Sequence, residues 1–326
     1  MPVLRLPSLP ATAGKQHWGN LPGAALSLAI AEAASNAKRF TLLLTADSQS
    51  AERLQEELSF FAPDLPVLHF PDWETLPYDL FSPHQDIISQ RIAALYRLPE
   101  LKHGVLVVPI TTALHRLAPK RFLLGSSLVM QVGQQLDVNQ MRGNLEAAGY
   151  RCVDTVYEHG EFAVRGSIVD IFPSSLDAGL RLDFFGDELE SLRLFDPATQ
   201  LTVERIDEHL LLPASEALLD EDSIKRFRTR YRELFGANAT QDPLYEAVSD
   251  GRRLAGMEHW LPFFHDRLAT IFDYLPGAPV LLDDGVPARR SARCTSTTAT
   301  RPGRGSRTCA AARGAGGSCF RNTGAH

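Results

Sequence analysis

The stretch EFAVRGSIVDIFPSSLDAGLRLDFFGDELESLRLFD, residues 161–196, decides the fold of the central part of this chain. It contains several short segments in which apolar and polar side chains alternate, separated by Gly or Pro. Such alternation is typical of half-buried β-strands, and segments this closely spaced leave no room for crossover helices. The stretch therefore predicts an antiparallel sheet, and the same pattern extends it over residues 150–213.

The alternation also predicts which side chains leave the core. Arg181 and Phe185 fall on the polar face of one strand segment, and Arg165 falls on the polar face of an upstream one. Pairing of these strands would gather the three side chains into one outer patch. An exposed aromatic ring beside arginines is typical of a protein-binding hot spot. The alternative is that Phe185 packs under a loop while both arginines form surface ion pairs.

Helices and strands alternate in the residues before this sheet. The pattern predicts one helix over 20–37, a second that is capped by Asp47 or Ser48, a third over 87–98, and a short fourth that is capped by Thr111. It predicts strands over 40–45, 67–70 and 104–109. This spacing is typical of βαβ units around a parallel sheet. After 215 the pattern is helical again, with Ile224, Phe227, Tyr231 and Leu234 on one face, before a strand at 279–282. The fold class is therefore α/β with a mainly antiparallel β (α+β) insertion.

Charge separates the chain into a body and a tail. The 326 residues carry 33 Lys+Arg and 39 Asp+Glu, a net charge of −6, but residues 289–326 hold eight Arg and no acid. The body alone has 25 basic and 39 acidic residues, or −14, which argues against tight duplex binding by phosphate neutralisation. The tail is predicted to be disordered because it has almost no large apolar residues. No membrane-spanning run is present, and the single body cysteine suits a cytoplasmic location.

Catalytic and nucleotide-binding patterns are missing. The segment GNLPG, from Gly19 to Gly23, lies just before the first helix, where a phosphate-binding loop would sit. It is followed by Ala-Ala in place of Lys-Ser/Thr, so we interpret it as a degenerate loop and predict no cofactor. The histidines show no metal-ligand spacing, and Cys152 is interpreted as a buried, inert thiol. We therefore expect no enzymatic activity and no metal site.

Three runs carry a resemblance to a known family: DWETLPYDLFSPHQDIISQRIAALYRLP (72–99), EHGEFAVRGSIVDIFP (158–173) and RLDFFGDELESLRLFD (181–196). They resemble the N-terminal module of the bacterial transcription-repair coupling factors (Mfd), which is itself similar to the excision-repair protein UvrB. The resemblance covers residues 1 to about 285. It stops near Asp284, so the tail 289–326 is expected to be out of frame.

The resemblance implies a domain organisation and a partner. Residues 1–126 would form a helicase-like α/β domain similar to UvrB domain 1a, residues 127–213 the UvrA-interaction domain similar to domain 2, and residues 214–288 a return segment similar to domain 1b. The UvrA-contacting residues of the family fall on Arg165, Arg181 and Phe185. The chain is thus expected to recruit UvrA in transcription-coupled nucleotide-excision repair.

The family's other activities belong to parts that this sequence lacks. The resemblance implies that full-length members of the family are ATP-dependent DNA translocases, which use ATP and Mg and displace stalled RNA polymerase. Contacts with RNA polymerase and duplex DNA would need those absent domains. Two alternatives are a nucleotide-hydrolysing α/β enzyme and a UvrB-like DNA-loading helicase fragment. Both would require an intact phosphate loop.

Overall fold

The computed structural model describes Leu9, residues 14–19 and residues 21–286. The expectations for the tail 289–326 lie outside these residues. The first part of the chain alternates helices and strands in the order α1 (Ala25–Ala37), β1 (Phe40–Thr45), α2 (Ser48–Phe61), β2 (Val67–His69), α3 (Gln85–Arg97), β3 (Gly104–Pro109), α4 (Ile110–Ala113) and α5 (Lys120–Gly125). Within the described residues no helix is both long and apolar enough to cross a membrane.

A parallel sheet forms the centre of this part. Its four strands follow the order β12-β1-β3-β2, where β12 (Val280–Leu282) arrives from the far end of the described chain. Leu42 of β1 pairs with Val280 on one side and with Leu106 on the other. All residues of β1 and β3 are buried because helices cover both faces of the sheet.

Three helix starts differ from the sequence prediction, and one of them is α3, which begins at Gln85 and not at 87. The first helix begins at Ala25 because Pro22 and Gly23 form a turn before it, with Gly23 at a φ of 56°. The short helix α4 begins at Ile110, directly after Pro109, so Thr111 lies inside the helix and does not cap it. Asp47 caps α2 as expected, accepting a hydrogen bond from the Ser50 amide at 2.8 Å.

The central part is a six-stranded sheet with a helix on one face. Its elements are β4 (Leu128–Gln131), α6 (Val138–Ala147), β5 (Arg151–Cys152), β6 (Glu161–Arg165), β7 (Ile168–Ile171), β8 (Gly179–Phe185), β9 (Glu188–Phe195), β10 (Thr202–Ile206) and β11 (Glu208–Leu211). The sheet order is β10-β9-β8-β7-β6-β5, antiparallel except for the β5–β6 pair, while β4 and β11 form a separate antiparallel ribbon. The mixed α/β class predicted from the sequence is confirmed.

The inner face of this sheet packs on α6. Met141 and Leu145 of the helix join Phe162, Leu182 and other alternating residues in one buried cluster. The prediction for Cys152 is wrong. Its strand is only two residues long, lies at the sheet edge, and leaves the thiol exposed.

The last described part is helical: α7 (Glu221–Phe235), α8 (Pro243–Ser249), α9 (Leu261–Phe264) and α10 (Ile271–Tyr274), with short 3₁₀ turns at Gly236–Gln241 and Met257–Trp260. Phe227 and Tyr231 are buried in their own cluster, as the pattern predicted. Leu234, in contrast, is 43% exposed. Phe235 takes its place on the packed face, with its ring centroid 4.5 Å from that of Tyr231.

Helix α3 makes polar contacts with the inserted part and with the segment that follows it. The Arg91 guanidinium donates to Glu216 at 2.7 Å, and the two side chains are 0% and 2% exposed. Gln85 donates to the carbonyl of Ala214 at 2.7 Å, and Asp86 lies 2.7 Å from the His159 ring nitrogen. The contact of Asp86 with His159 reaches the inserted part, and the other two hold the segment that follows it against α3.

Candidate functional site

The register of β6, β7 and β8 places the predicted residues on one face of the sheet. Arg165 pairs with Ile168, and Ile168 pairs with Asp183. Two residues along each strand, and so on the same face, Asp170 pairs with Arg181. Directly opposite residues of neighbouring strands share a face, so both arginines lie on the face away from α6.

One buried carboxylate holds both arginines. Asp170 has a fully buried side chain, and it accepts hydrogen bonds from Arg181 Nε at 2.7 Å and Arg181 Nη2 at 2.9 Å. Arg165 Nη2 donates to the same carboxylate. Asp170 was not among the residues expected from the sequence. Its position opposite Arg181 in the ladder is the signal that could have identified it.

Arg181 is mostly committed to the interior of this domain. Its guanidinium stacks 4.6 Å from the centre of the Phe195 ring, and Nη1 donates to the carbonyl of Gln200 at 3.3 Å. The hydrogen bond to Asp170 raises the pKa of Arg181 above its ordinary value. The Arg181 side chain is only 16% exposed. It therefore holds the Asp170 carboxylate in place and offers little surface to a partner.

Part of the outer face is covered, contrary to the simple alternation pattern. Phe195 is fully buried and packs with Val156, Ala163 and Phe172 in a small cluster on this side. Its ring lies directly over Gly179, where a Cβ would meet ring carbon atoms at 2.3 Å. Only glycine fits at that position. The open part of the face is therefore the end that carries Phe185.

Phe185 extends into solvent at the end of β8. It is 79% exposed, whereas its neighbour Phe184 is 4% exposed and faces the core. Gly186 follows at a φ of 62°, which starts the turn into β9. The alternative in which Phe185 packs under a loop is thus wrong. Both arginines do form ion pairs, but with the buried carboxylate of Asp170 and not with a surface acid.

We define the docking face as Arg165, Ile168, Asp183, Phe185 and Arg193. The Arg165 side chain is 48% exposed. Arg193 donates to Asp183 at 2.7 Å, and both side chains are 31% exposed. The docking face thus offers one exposed aromatic ring and partly exposed guanidinium groups, which is the composition of a protein-binding surface.

The degenerate phosphate-loop position is the turn that leads into α1. The amides of Ala25 and Leu26 already donate to the carbonyls of Pro22 and Gly23, at 3.2 and 3.4 Å. These two amides at the start of α1 are therefore engaged, and the sequence of this turn contains no lysine to reach a phosphate. Gly19 and Gly23 have open space around them, but open space alone does not make a binding site. Across residues 14–19 and 21–286, no group of His, Cys, Asp and Glu side chains is arranged to hold a metal ion.

Residues 128–216 match the family model of the UvrB interaction domain. The chain is 45% identical over 280 residues to the transcription-repair-coupling factor of Escherichia coli (strain K12), covering 85% of this chain and 24% of that protein. The corresponding protein of Haemophilus influenzae is 45% identical over 267 residues, covering 81% and 23%, and that of Bacillus subtilis (strain 168) is 25% identical over 288 residues, covering 83% and 24%.

These matches define the chain first as a carrier of a UvrB interaction domain. The same domain lies within a longer region of similarity to transcription-repair-coupling factors, which supports the chain as an N-terminal module of that kind. The resemblance predicted from the sequence is thereby confirmed. The chain spans about a quarter of the length of the curated relatives it matches.

Proposed function

We propose that this chain recruits UvrA and acts in transcription-coupled nucleotide-excision repair. The observation that carries the proposal is an exposed Phe185 at the open end of a domain of the UvrB interaction family. An aromatic ring in this position would insert into an apolar pocket of the partner. Aromatic anchors of this kind dominate the binding energy of many protein interfaces.

The arginines would have different roles in this docking. Arg165 is about half exposed, so its remaining guanidinium donors can bind a carboxylate of UvrA. Arg181 would act indirectly, because its bidentate bond fixes the Asp170 carboxylate that also holds Arg165. This assignment makes Phe185 and Arg165 contact residues and Arg181 a positioning residue.

The activities of the whole protein are a further part of the proposal. We infer that ATP-driven translocation, RNA polymerase binding and duplex binding reside in the regions of the relatives that this chain does not span. The chain itself would not hydrolyse ATP, since the turn before α1 lacks the lysine that a phosphate loop needs. The same lack disfavours the alternative of a UvrB-like helicase fragment.

Calorimetric titration of the chain with purified UvrA tests the docking residue. We expect Phe185→Ala to weaken UvrA binding by about 30-fold or more, equivalent to about 2 kcal/mol for a central aromatic anchor. The matched control is Phe60→Ala on α2, because Phe60 is also 79% exposed but lies in the other part of the chain. Equal affinities of the two variants would contradict the proposed site.

A further inference from the structure

A cleft opens at the carboxyl ends of the parallel strands, far from the docking face in the topology. After β1 the chain enters α2, whose Leu54 packs with Leu43 on one face of the sheet. After the neighbouring strand β3 it enters the segment of Ile110, which packs with Ile92 on the opposite face. Adjacent strands whose connections diverge in this way form a topological switch point, where open α/β sheets bind ligands.

The cleft has the size and walls of a small-molecule site. Its volume is about 680 Å³, within the range of about 300–1,000 Å³ found for ligand pockets. Residues that follow β1 and β3, including Asp47 and His115, line its floor. Trp73, Tyr78 and His259 supply aromatic walls, with the Trp73 and His259 ring centroids 5.5 Å apart.

Three polar side-chain atoms in these walls lack hydrogen-bond partners. They are Trp73 Nε1, Thr75 Oγ1 and His115 Nδ1, all closed to solvent and without a partner among the residues that the structure describes. Unpartnered buried polar atoms are uncommon in native proteins. Trp73 and Thr75 belong to a backbone segment in which Glu74 and Tyr78 adopt positive φ angles of 57° and 64°. Such strain in non-glycine residues is concentrated at ligand-binding sites.

The charges around the cleft disfavour an anionic ligand. Four carboxylates line it, those of Asp47, Asp72, Glu74 and Glu258, against the single guanidinium of Arg116. The start of α2, where a phosphate could otherwise bind, is already capped by the Asp47 carboxylate. A ligand of this cleft should therefore present an aromatic ring and hydrogen-bonding atoms but no phosphate.

We propose that the cleft binds an uncharged nucleoside-like ligand, in which a planar heteroaromatic base packs against the Tyr78 side of the wall. The base edge supplies ring nitrogen or carbonyl acceptors for the indole N–H of Trp73 and the hydroxyl of Thr75. Nucleobases combine such an edge with flat faces that stack on aromatic side chains. Because Trp73 Nε1 and Thr75 Oγ1 are closed to solvent, binding requires their side chains to rotate toward the cleft.

Titration of the full chain with adenosine, followed by the indole N–H signals in ¹H–¹⁵N spectra, tests this site. We expect saturable movement of the Trp73 signal and none for Trp18, which packs in the separate cluster around α1 and α2. Trp73→Phe keeps an aromatic ring but removes the N–H donor, so it should weaken binding by about 5- to 10-fold, which calorimetric titration measures because this variant has no Trp73 indole signal. Adenosine monophosphate should bind more weakly than adenosine because its phosphate meets the carboxylates.

Phe185→Ala is the matched control, and it should bind adenosine as the unsubstituted chain does. Thermal unfolding checks that Trp73→Phe is folded, and Thr75→Val provides a second, nearly isosteric test of the polar wall. Absence of saturation by adenosine up to about 5 mM, or unchanged affinity in both wall variants, would overturn the proposal. Tighter binding of adenosine monophosphate than of adenosine would also overturn the proposal. A shift of the Trp73 signal with a proline-rich peptide but not with adenosine would overturn it as well.

Discussion

Replacing Arg181 with alanine should destabilise the inserted domain strongly. The substitution removes two charge-assisted bonds to Asp170, whose side chain is fully buried, together with the stacking contact on Phe195. Removing one partner of a buried ion pair costs about 3–5 kcal/mol, and a cation–π contact contributes about 0.5–1 kcal/mol. Arg165 still binds Asp170 and offsets part of this loss. We therefore expect the free energy of unfolding to fall by about 3 kcal/mol.

Hydrogen exchange of the full chain can locate this loss. Amides of β7 and β8 should lose protection in Arg181→Ala, whereas amides of β1 in the parallel sheet should keep theirs. Arg193→Ala is the control, because Arg193 is the residue opposite Arg181 in the ladder. Its partner Asp183 and Arg193 itself are each 31% exposed, so its loss should cost less than about 1 kcal/mol. Equal loss of protection in the two variants would refute the positioning role of Arg181.

Two further predictions concern the joint at α3 and the buried histidines. Glu216→Gln should lower the free energy of unfolding by about 3 kcal/mol, because it leaves the buried Arg91 guanidinium without its counter-charge. Urea titration measures this free energy, and a decrease of less than about 1 kcal/mol would contradict the prediction. Burial lowers the pKa of His265 and of His69 below the ordinary 6.5, so the unfolded chain binds protons first as the pH falls. The urea midpoint should therefore decrease from pH 7 toward pH 5, less steeply in His265→Gln, and a midpoint independent of pH would refute this.

The sequence predicts the two sheets well because their signals are local. Alternation in 181–185 correctly placed Phe185 outside and Phe184 inside, and the apolar runs of 40–45 and 104–109 correctly predicted the strands β1 and β3. The alternation did not predict that the Arg181 side chain is mostly buried. Its burial depends on Phe195 and Gln200, which reach it only after β9 and the following turn have folded back, and alternation within one strand carries no information about that cover.

Other misses have the same origin in tertiary contacts. The thiol of Cys152 was expected to be buried. Strand β5 is only two residues long and lies at the sheet edge, where no core covers either of its residues. The cleft beside Trp73 was not predicted either. Its walls come from the ends of three strands and from the Met257–Trp260 turn, which are distant in the sequence, and the loop 71–84 showed only an unusual content of prolines and aromatics.

The ribbon of β4 and β11 has a consequence for how this module can be rearranged. Leu128, the first residue of the ribbon, pairs with Leu211, the last, so the chain enters and leaves the inserted domain at almost the same point in space. A host fold needs only one pair of adjacent backbone ends to accept such an insertion. Because the two ends of the inserted domain already lie side by side, the entropic cost of closing the host loop is small. Residues 128–211 could therefore be transplanted into a surface turn of an unrelated scaffold, or removed and replaced by a short turn at that point. The inserted domain is in this sense a detachable adaptor, with its docking face encoded entirely between the two ends of one ribbon.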